Sequence, residues 1–248
     1  LILIGRDREK LQQAATDIQN FSGCETNSLH IVEADLSSLQ ATSAAAKAIL
    51  QTQPRIDVLI NNAGALFATR EETAEGFEQA LAVNFLAPVL LSKLLDGHFT
   101  DASRVINVVS GGLYFQGVNL DDLQFRNEAY DGSKAYARAK RALLYMSQEN
   151  TGKTSYYTMH PGWAATPGVA KSLPAFNKKL KHFMRDGRMG ADTMIWLATA
   201  PELSRSDRAE LWFDRQPHTC DVLPGTKSST AEIQQLRNWT LATLSRFE

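Results

Sequence analysis

Apolar residues recur along this chain with two periods. Short unbroken runs, Leu1-Ile2-Leu3-Ile4 and Val58-Leu59-Ile60 after Asp57, suit strands buried on both faces. Longer stretches with apolar positions three and four apart suit helices. Taken in order, the strand at Leu1–Ile4 ends at Gly5-Arg6-Asp7, and Asp7 is placed to cap a helix from Arg8 to Asn20 whose Leu11, Ala14, Ala15 and Ile18 share a face. Ser28 to Ala34 reads as the next strand, stopping at Asp35, and Leu36-Ser37-Ser38 leads into an alanine-rich helix reaching about Thr52. The strand Asp57–Ile60 breaks at Asn61-Asn62-Ala63-Gly64. A long helical stretch from about Thr73 to Leu95 follows, with a break expected near Pro88. Val105 to Ser110 is a strand ending in serine, and Ala135 to Met146 a helix. Ser155 to His160 is a strand closed by Pro161-Gly162. Gly190–Thr199 reads as a helix, Glu210–Phe213 as a last short strand, and Ala231–Phe247 as an amphipathic terminal helix.

Strands alternating with helices, several of them apolar on both faces, predict an α/β fold: a doubly wound parallel sheet covered by helices on both sides. Such sheets bind ligands at the carboxyl ends of their strands, where Arg6, Asp35, Asn61, Ser110 and His160-Pro161-Gly162 all fall. No repeat, low-complexity segment or linker interrupts the 248 residues, which points to a single domain over 1–248.

Composition narrows the partners. A net charge of -1 gives no electrostatic reason to expect nucleic acid or an anionic membrane. Two cysteines, Cys24 and Cys220, are too few and too far apart for a disulfide framework or a metal site, which favours a reducing, cytoplasmic setting. No uninterrupted apolar run approaches the ~18 residues of a membrane span. The chain opens without methionine and directly on a buried-strand pattern, which suggests a fragment.

The residues with most chemistry lie between Val105 and Lys140. Tyr136 and Lys140 are four apart on a helix, so they share a face. A tyrosine hydroxyl titrates near ~10 and needs a neighbouring cation to serve as an acid or base at neutral pH. Lys140 is the right kind of group, and Ser110 at a strand end is a fixed hydroxyl able to hold a carbonyl oxygen. Tyr130 and Lys134 repeat the spacing, but Asp131-Gly132 between them suits a turn or helix start better than a helix interior. Tyr136 and Lys140 are the preferred pair.

These residues, together with Asn61-Asn62-Ala63-Gly64 after an apolar strand, resemble the short-chain dehydrogenase/reductase family along nearly the whole chain. Within it, Met159-His160-Pro161-Gly162-Trp163, Thr166-Pro167-Gly168-Val169 and Gly190-Ala191-Asp192-Thr193-Met194 resemble the subgroup called dehydrogenase/reductase SDR family member 12. The resemblance implies a Rossmann-like sheet and a catalytic set of Asn84, Ser110, Tyr136 and Lys140. It implies that Asp35, Leu36, Asn62, Ala63, Gly64, Tyr136, Lys140, Pro161, Gly162 and Thr166 line a nicotinamide cofactor. His160 is read as structural or cofactor-lining. Arg6, just past the end of the strand at Leu1–Ile4, suits a 2′-phosphate, so NADP(H) is expected in preference to NAD(H). The expected activity is interconversion of a carbonyl and an alcohol on a small molecule, with lipid-, steroid- or retinoid-like substrates favoured by the apolar-leaning loops after Ser110 and Trp163. A homo-oligomer is compatible with this reading.

One departure stands out. The family's first strand and its T-G-x-x-x-G-x-G turn have no counterpart here, and no other glycine cluster replaces them. The sheet should therefore lack a central strand, leaving edges unpaired. That opens an alternative class, a non-catalytic binding or regulatory module on the same fold. A hydrolase would need a nucleophile elbow, and Ser110 lacks the glycine two positions before it.

Overall fold

The computed structural model describes residues 1–149, 152–165, 184–203 and 211–248. Its strands form two sheets. In the first, β1 (Ile2–Gly5) pairs in parallel with β2 (His30–Glu33). The second has the order β3 (Ile56–Asn61), β4 (Phe99–Val108), β5 (Ser155–Met159), β6 (Leu211–Phe213), β7 (Gln216–His218), parallel up to β6 and antiparallel at the β6–β7 hairpin. The architecture is Rossmann-like, and the missing strand shows as a gap: among the described residues, β1 and β3 each have a partner on one side only. Between them lies an apolar slot of about 730 Å3, lined by Ile2, Ile4, Val58, Ile60, Ile49 and Leu91 among others.

Helices behave largely as the apolar spacing predicts. Helix α1 (Arg8–Ser22) is capped by the Asp7 carboxylate, which accepts from Lys10 N–H at 3.1 Å, and ends at Gly23 with φ 66°. There the chain needs a left-handed residue, which glycine supplies without a Cβ penalty. Helix α2 (Leu39–Thr52) buries Leu39, Ala45, Ala46 and Ile49.

The stretch predicted as helix from Thr73 begins later. Residues before Gln79 turn back in a bridge between Glu72 and Glu78, and α3 (Gln79–Leu81) starts with Glu78 as its cap. The expected break also moves. It is a π-turn over Ala82–Leu86, centred on Asn84, with Pro88 in the first turn of α4 (Ala87–Leu95). Proline has no N–H to close the turn behind it, so the ladder widens upstream, where Ala87 N–H reaches the Ala82 carbonyl. Gln79–His98 would suffice by length and composition to cross a membrane, but two thirds of its most apolar window (67%) is buried inside the protein.

The catalytic-helix candidate, α5 (Gly132–Gln148), is capped by Asp131, whose carboxylate accepts from Ser133 and Lys134 N–H. Helix α6 (Gly187–Thr199) starts three residues earlier than predicted. Glu210 lies outside the described residues, and the strand there runs over Leu211–Phe213. The β6–β7 hairpin turns on Asp214 and Arg215, both with positive φ. No glycine or asparagine marks that turn in the sequence; ion pairs of Arg185 with Asp214 and of Arg215 with Asp192 hold it. Helix α7 (Thr230–Leu244) begins in a capping box of Ser229 and Glu232.

The largest core cluster joins Phe85, Leu86 and Leu90 of the π-turn and α4 to Leu143 and Leu144 of α5 and Leu236 and Leu244 of α7. That packing seats α5 over the carboxyl ends of β3 and β4, where the candidate chemistry lies.

Candidate active site

Because β1 to β5 run in parallel within their sheets, the residues that follow them emerge at the carboxyl edges. Asn61 is the last residue of β3, and Asn62-Ala63-Gly64 leave it as an exposed turn. Asn61 itself points inward and is buried. Its amide donates to Asn107 Oδ1 at 2.8 Å and to Ser92 Oγ at 3.1 Å, tying β3 to β4 and α4.

The turn passes tightly over two buried polar groups. A Cβ built on Gly64 would lie 2.9 Å from Asn84 Oδ1 and 3.3 Å from Lys140 Nζ. A side chain at this position would force Asn84 or Lys140 to shift. Asn84 is fully buried and satisfied: Ala65 N–H donates to its Oδ1 at 3.0 Å, and its amide donates to the carbonyls of Ala65 at 2.8 Å and Ala80 at 2.9 Å. Lys140 is also buried, and its ammonium donates to the Val108 carbonyl at 2.9 Å.

Tyr136 stands one turn before Lys140 on the same face, half-buried. The Lys140 nitrogen is 5.8 Å from its ring centroid. Burial pushes the Tyr136 hydroxyl up to about 12, and burial pushes Lys140 down to about 8. Here burial outweighs the lowering expected from the lysine. In the chain alone the ammonium is spent on a backbone carbonyl, and desolvation dominates both groups.

Ser110 follows β4 and caps a short 3-10 turn, Gly111–Phe115, its oxygen accepting from Gly112 N–H at 3.2 Å. The Ser110 and Tyr136 hydroxyl protons have no acceptor among the described residues. Gly112 rests against Ala137, the neighbour of Tyr136, so the serine loop sits directly on α5. Arg141, fully buried beneath, holds that loop by donating to the Leu113 carbonyl at 3.1 Å, and it grips the Cys220 carbonyl and Asp221 as well. Arg141 has no signal in the sequence beyond a charge in an apolar helix.

After β5, His160 stacks on Phe213 with ring centroids 4.3 Å apart, and Tyr114 meets it edge-on. Its Nδ1 accepts from Gly162 N–H at 3.2 Å, which leaves the neutral ring protonated at Nε2. Burial lowers its pKa to about 4, so the ring is neutral at pH 7. Gly162 has φ 72° and lies against the Arg185 side chain. Pro161 and Gly162 thus form a fixed turn beside the serine loop. Thr166 lies outside the described residues, as do Pro167, Gly168 and Val169.

The remaining predicted contacts are at the sheet's far end. Arg6 is exposed past β1 and has no partner among the described residues. Asp35 accepts from the N–H and hydroxyl of Ser37, at 2.9 and 2.8 Å, as a turn cap does, with Leu36 half-buried beside it.

The rival pair is placed differently. Tyr130 precedes α5 and donates its hydroxyl to the buried Glu78 carboxylate at 3.0 Å, and Lys134 is exposed. Desolvation, with Glu78 beside it, raises the Tyr130 pKa well above the ordinary tyrosine value. Tyr130 is thus engaged and Tyr136 is free.

A nicotinamide nucleotide fits part of this edge. The exposed Asn62-Ala63-Gly64 turn and the Gly162 turn are the backbone that would face its nicotinamide-ribose end. The glycine-rich turn that would floor a pyrophosphate has no match in the sequence, and the slot between β1 and β3 lies where its strand would pair.

Comparisons with known proteins bear on the family and the fold. The family model described as short chain dehydrogenase matches residues 1–172. Dehydrogenase/reductase SDR family member 12 of Bos taurus is 35% identical over 94% of this chain and 75% of its own length. Retinol dehydrogenase 14 of Homo sapiens is 34% identical over 80% of this chain and 63% of its own. In fold, the chain is similar to an NADPH-bound carbonyl reductase from chicken fatty liver, with a TM-score of 0.57 at 20% identity, covering 85% of this chain and 83% of that one. The chain belongs to the short-chain dehydrogenase/reductase family.

Proposed function

We propose that the protein is an NADP(H)-dependent oxidoreductase that interconverts a carbonyl and an alcohol, with Tyr136 as the acid/base. The observation that carries this reading is the pairing of a free Tyr136 hydroxyl with a buried Lys140 one turn away, against the backbone at Gly64. When bound, the nicotinamide would supply hydride. Ser110 would donate a hydrogen bond to the carbonyl oxygen, polarising it and fixing its position. A Tyr136 hydroxyl pushed up to about 12 stays protonated at neutral pH, the form needed to deliver a proton as the oxygen gains charge. Lys140, about 8, remains largely an ammonium at pH 7 and would steady the tyrosinate left behind. Asn84 would keep the turn at Gly64 and Ala65 rigid against the lysine. Arg6 would pair with a 2′-phosphate, and Asp35 and Leu36 would face the adenine end.

Substrate class is argued from the rim. Phe115 and Trp163, exposed at 66% and 53%, flank Ser110 and Gly162, and Val222 and Leu223 add further exposed apolar surface on the turn that packs against Gly117. A bulky apolar carbonyl suits this rim better than a sugar, in keeping with the retinol dehydrogenase among the relatives. A screen of aliphatic, steroid and retinoid carbonyls with NADPH on the full-length natural protein tests the reading. NADPH binding without turnover of any carbonyl would count against it.

The split sheet favours a second reading, a binding module on the same fold that does not turn over substrate. Titration of this 248-residue chain with NADPH separates the two. Micromolar affinity would exclude a module crippled in cofactor binding.

A further inference from the structure

Asn84 and Lys140 belong to different helical elements, yet a Cβ built on Gly64 would lie 2.9 Å from Asn84 Oδ1 and 3.3 Å from Lys140 Nζ. The two helices meet at one joint near their starts. Glu78, the cap of α3, precedes Asn84 by six residues, and Tyr130, at the entrance of α5, precedes Tyr136 by six. The Glu78 carboxylate is 1% exposed. Its two oxygens accept from Ala80 N–H at 2.8 Å and Leu81 N–H at 2.7 Å, and one of them also accepts the Tyr130 hydroxyl at 3.0 Å.

The joint is packed around the buried Glu78, with Tyr130 itself half-buried. Ala80, Phe125 and Ala135, with Phe67 and Tyr130, form a small apolar cluster around it. Phe125, held at φ 51°, meets the Tyr130 ring edge-on at 5.4 Å and lies beneath the Arg138 guanidinium of α5. Gln124 accepts from Glu78 N–H at 3.1 Å. Gly132, the first residue of α5, is so close to the Phe67 carbonyl that an added Cβ would sit 1.9 Å from its oxygen. A hydrogen bond to a buried carboxylate is charge-assisted and directional.

We infer that the Glu78–Tyr130 hydrogen bond is a positioning contact that sets the register between the helix carrying Asn84 and the helix carrying Tyr136 and Lys140. This rests on the function proposed above and explains the presence of the rival tyrosine. Tyr130 touches no reacting atom and acts through the helices it joins.

Tyr130→Phe and Glu78→Gln, alone and combined, test this in the full-length natural protein. Exchange of the Ala65 amide, which Asn84 holds at 3.0 Å, reports the placement of Asn84 without any need for turnover. It should speed up by about tenfold or more in Tyr130→Phe while the core amides of Val105 and Ile106 stay protected. With a carbonyl that the wild type reduces, kcat should fall about three- to tenfold and the alkaline limb of its pH profile should shift. The double variant should be no worse than the more impaired single one. A merely structural contact would lower Tm and leave Ala65 exchange relative to the core and the pH profile unchanged, and that result would overturn the inference. Simple additivity of the two substitutions would do the same. Absence of turnover in the wild type speaks against the proposed function alone, and Ala65 exchange then decides the joint. If Glu78→Gln does not fold, Tyr130→Phe decides it.

Discussion

Lys140 and Tyr136 stand one helical turn apart, but the lysine ammonium is turned to the Val108 carbonyl at 2.9 Å and lies 5.8 Å from the tyrosine ring centroid. Desolvation pushes each group toward its neutral form. The pair is assembled in the chain alone but not yet activated. Stability and chemistry therefore pull in opposite directions at Lys140.

Lys140→Met should stabilise the fold while abolishing reduction. The lysine's folded pKa is about 8 against an ordinary 10.5, so the unfolded chain holds its proton more tightly. The resulting penalty is fully present below about pH 8 and fades as pH rises from 8 to 10.5. Its size is on the order of 1–3 kcal/mol once the lost bond to Val108 is set against it. Thermal melts at pH 7 should show the variant several degrees above wild type, a margin that narrows by pH 10. An equal or lower Tm at pH 7 would mean that the ammonium is better solvated than its burial implies.

Reduction should also lose rate as pH rises through about 8, where Lys140 gives up its proton, well before Tyr136 ionises near 12. The profile of kcat between pH 6 and 10, buffered at constant ionic strength, measures this. A profile flat to pH 10 would remove Lys140 from the proton-transfer step.

Much of this arrangement is legible in the sequence. Period and apolar runs locate the strands, and Arg6, Asp35, Asn61, Ser110 and Gly162 fall at or just past strand ends. Asp131-Gly132 marks a helix start, because a carboxylate cap and a missing side chain are both local requirements. What escapes depends on contacts between distant segments. The helix predicted from Thr73 starts at Gln79 because the buried Glu78 caps it there, with Tyr130 added from fifty-two residues away. The β6–β7 turn carries neither glycine nor asparagine, and Asp214 and Arg215 are held there by Arg185 and Asp192. The tyrosine's raised pKa is invisible to spacing, because two positions on a helix do not reveal where an ammonium points.

Gly132→Ala should be severely destabilising despite its conservative appearance. Alanine improves helix propensity by ~1 kcal/mol, yet its Cβ would meet the Phe67 carbonyl oxygen at 1.9 Å, a backbone atom that cannot swing away. A net loss of about 2 kcal/mol or more is expected. Urea unfolding checks it, and a neutral or stabilising result would show that the 65–70 segment yields easily.

Arg6→Asp in the full-length natural protein should weaken NADPH far more than NADH. Arg6 is an exposed cation just beyond β1, and a carboxylate there would repel a 2′-phosphate while accepting ribose hydroxyls. Equilibrium titrations with both nucleotides measure the ratio. Equal losses would assign Arg6 to structure alone.

The central claim is that Tyr136, not Tyr130, moves the proton. Initial rates of NADPH oxidation, with a carbonyl that the full-length natural protein reduces, compare Tyr136→Phe with Tyr130→Phe under identical conditions. The account predicts a fall in kcat of about 10²- to 10⁴-fold for Tyr136→Phe, and a loss of no more than about tenfold for Tyr130→Phe, whose hydroxyl only joins Glu78. A dead Tyr130→Phe beside an active Tyr136→Phe would contradict it, and full activity in both would remove tyrosine acid catalysis altogether.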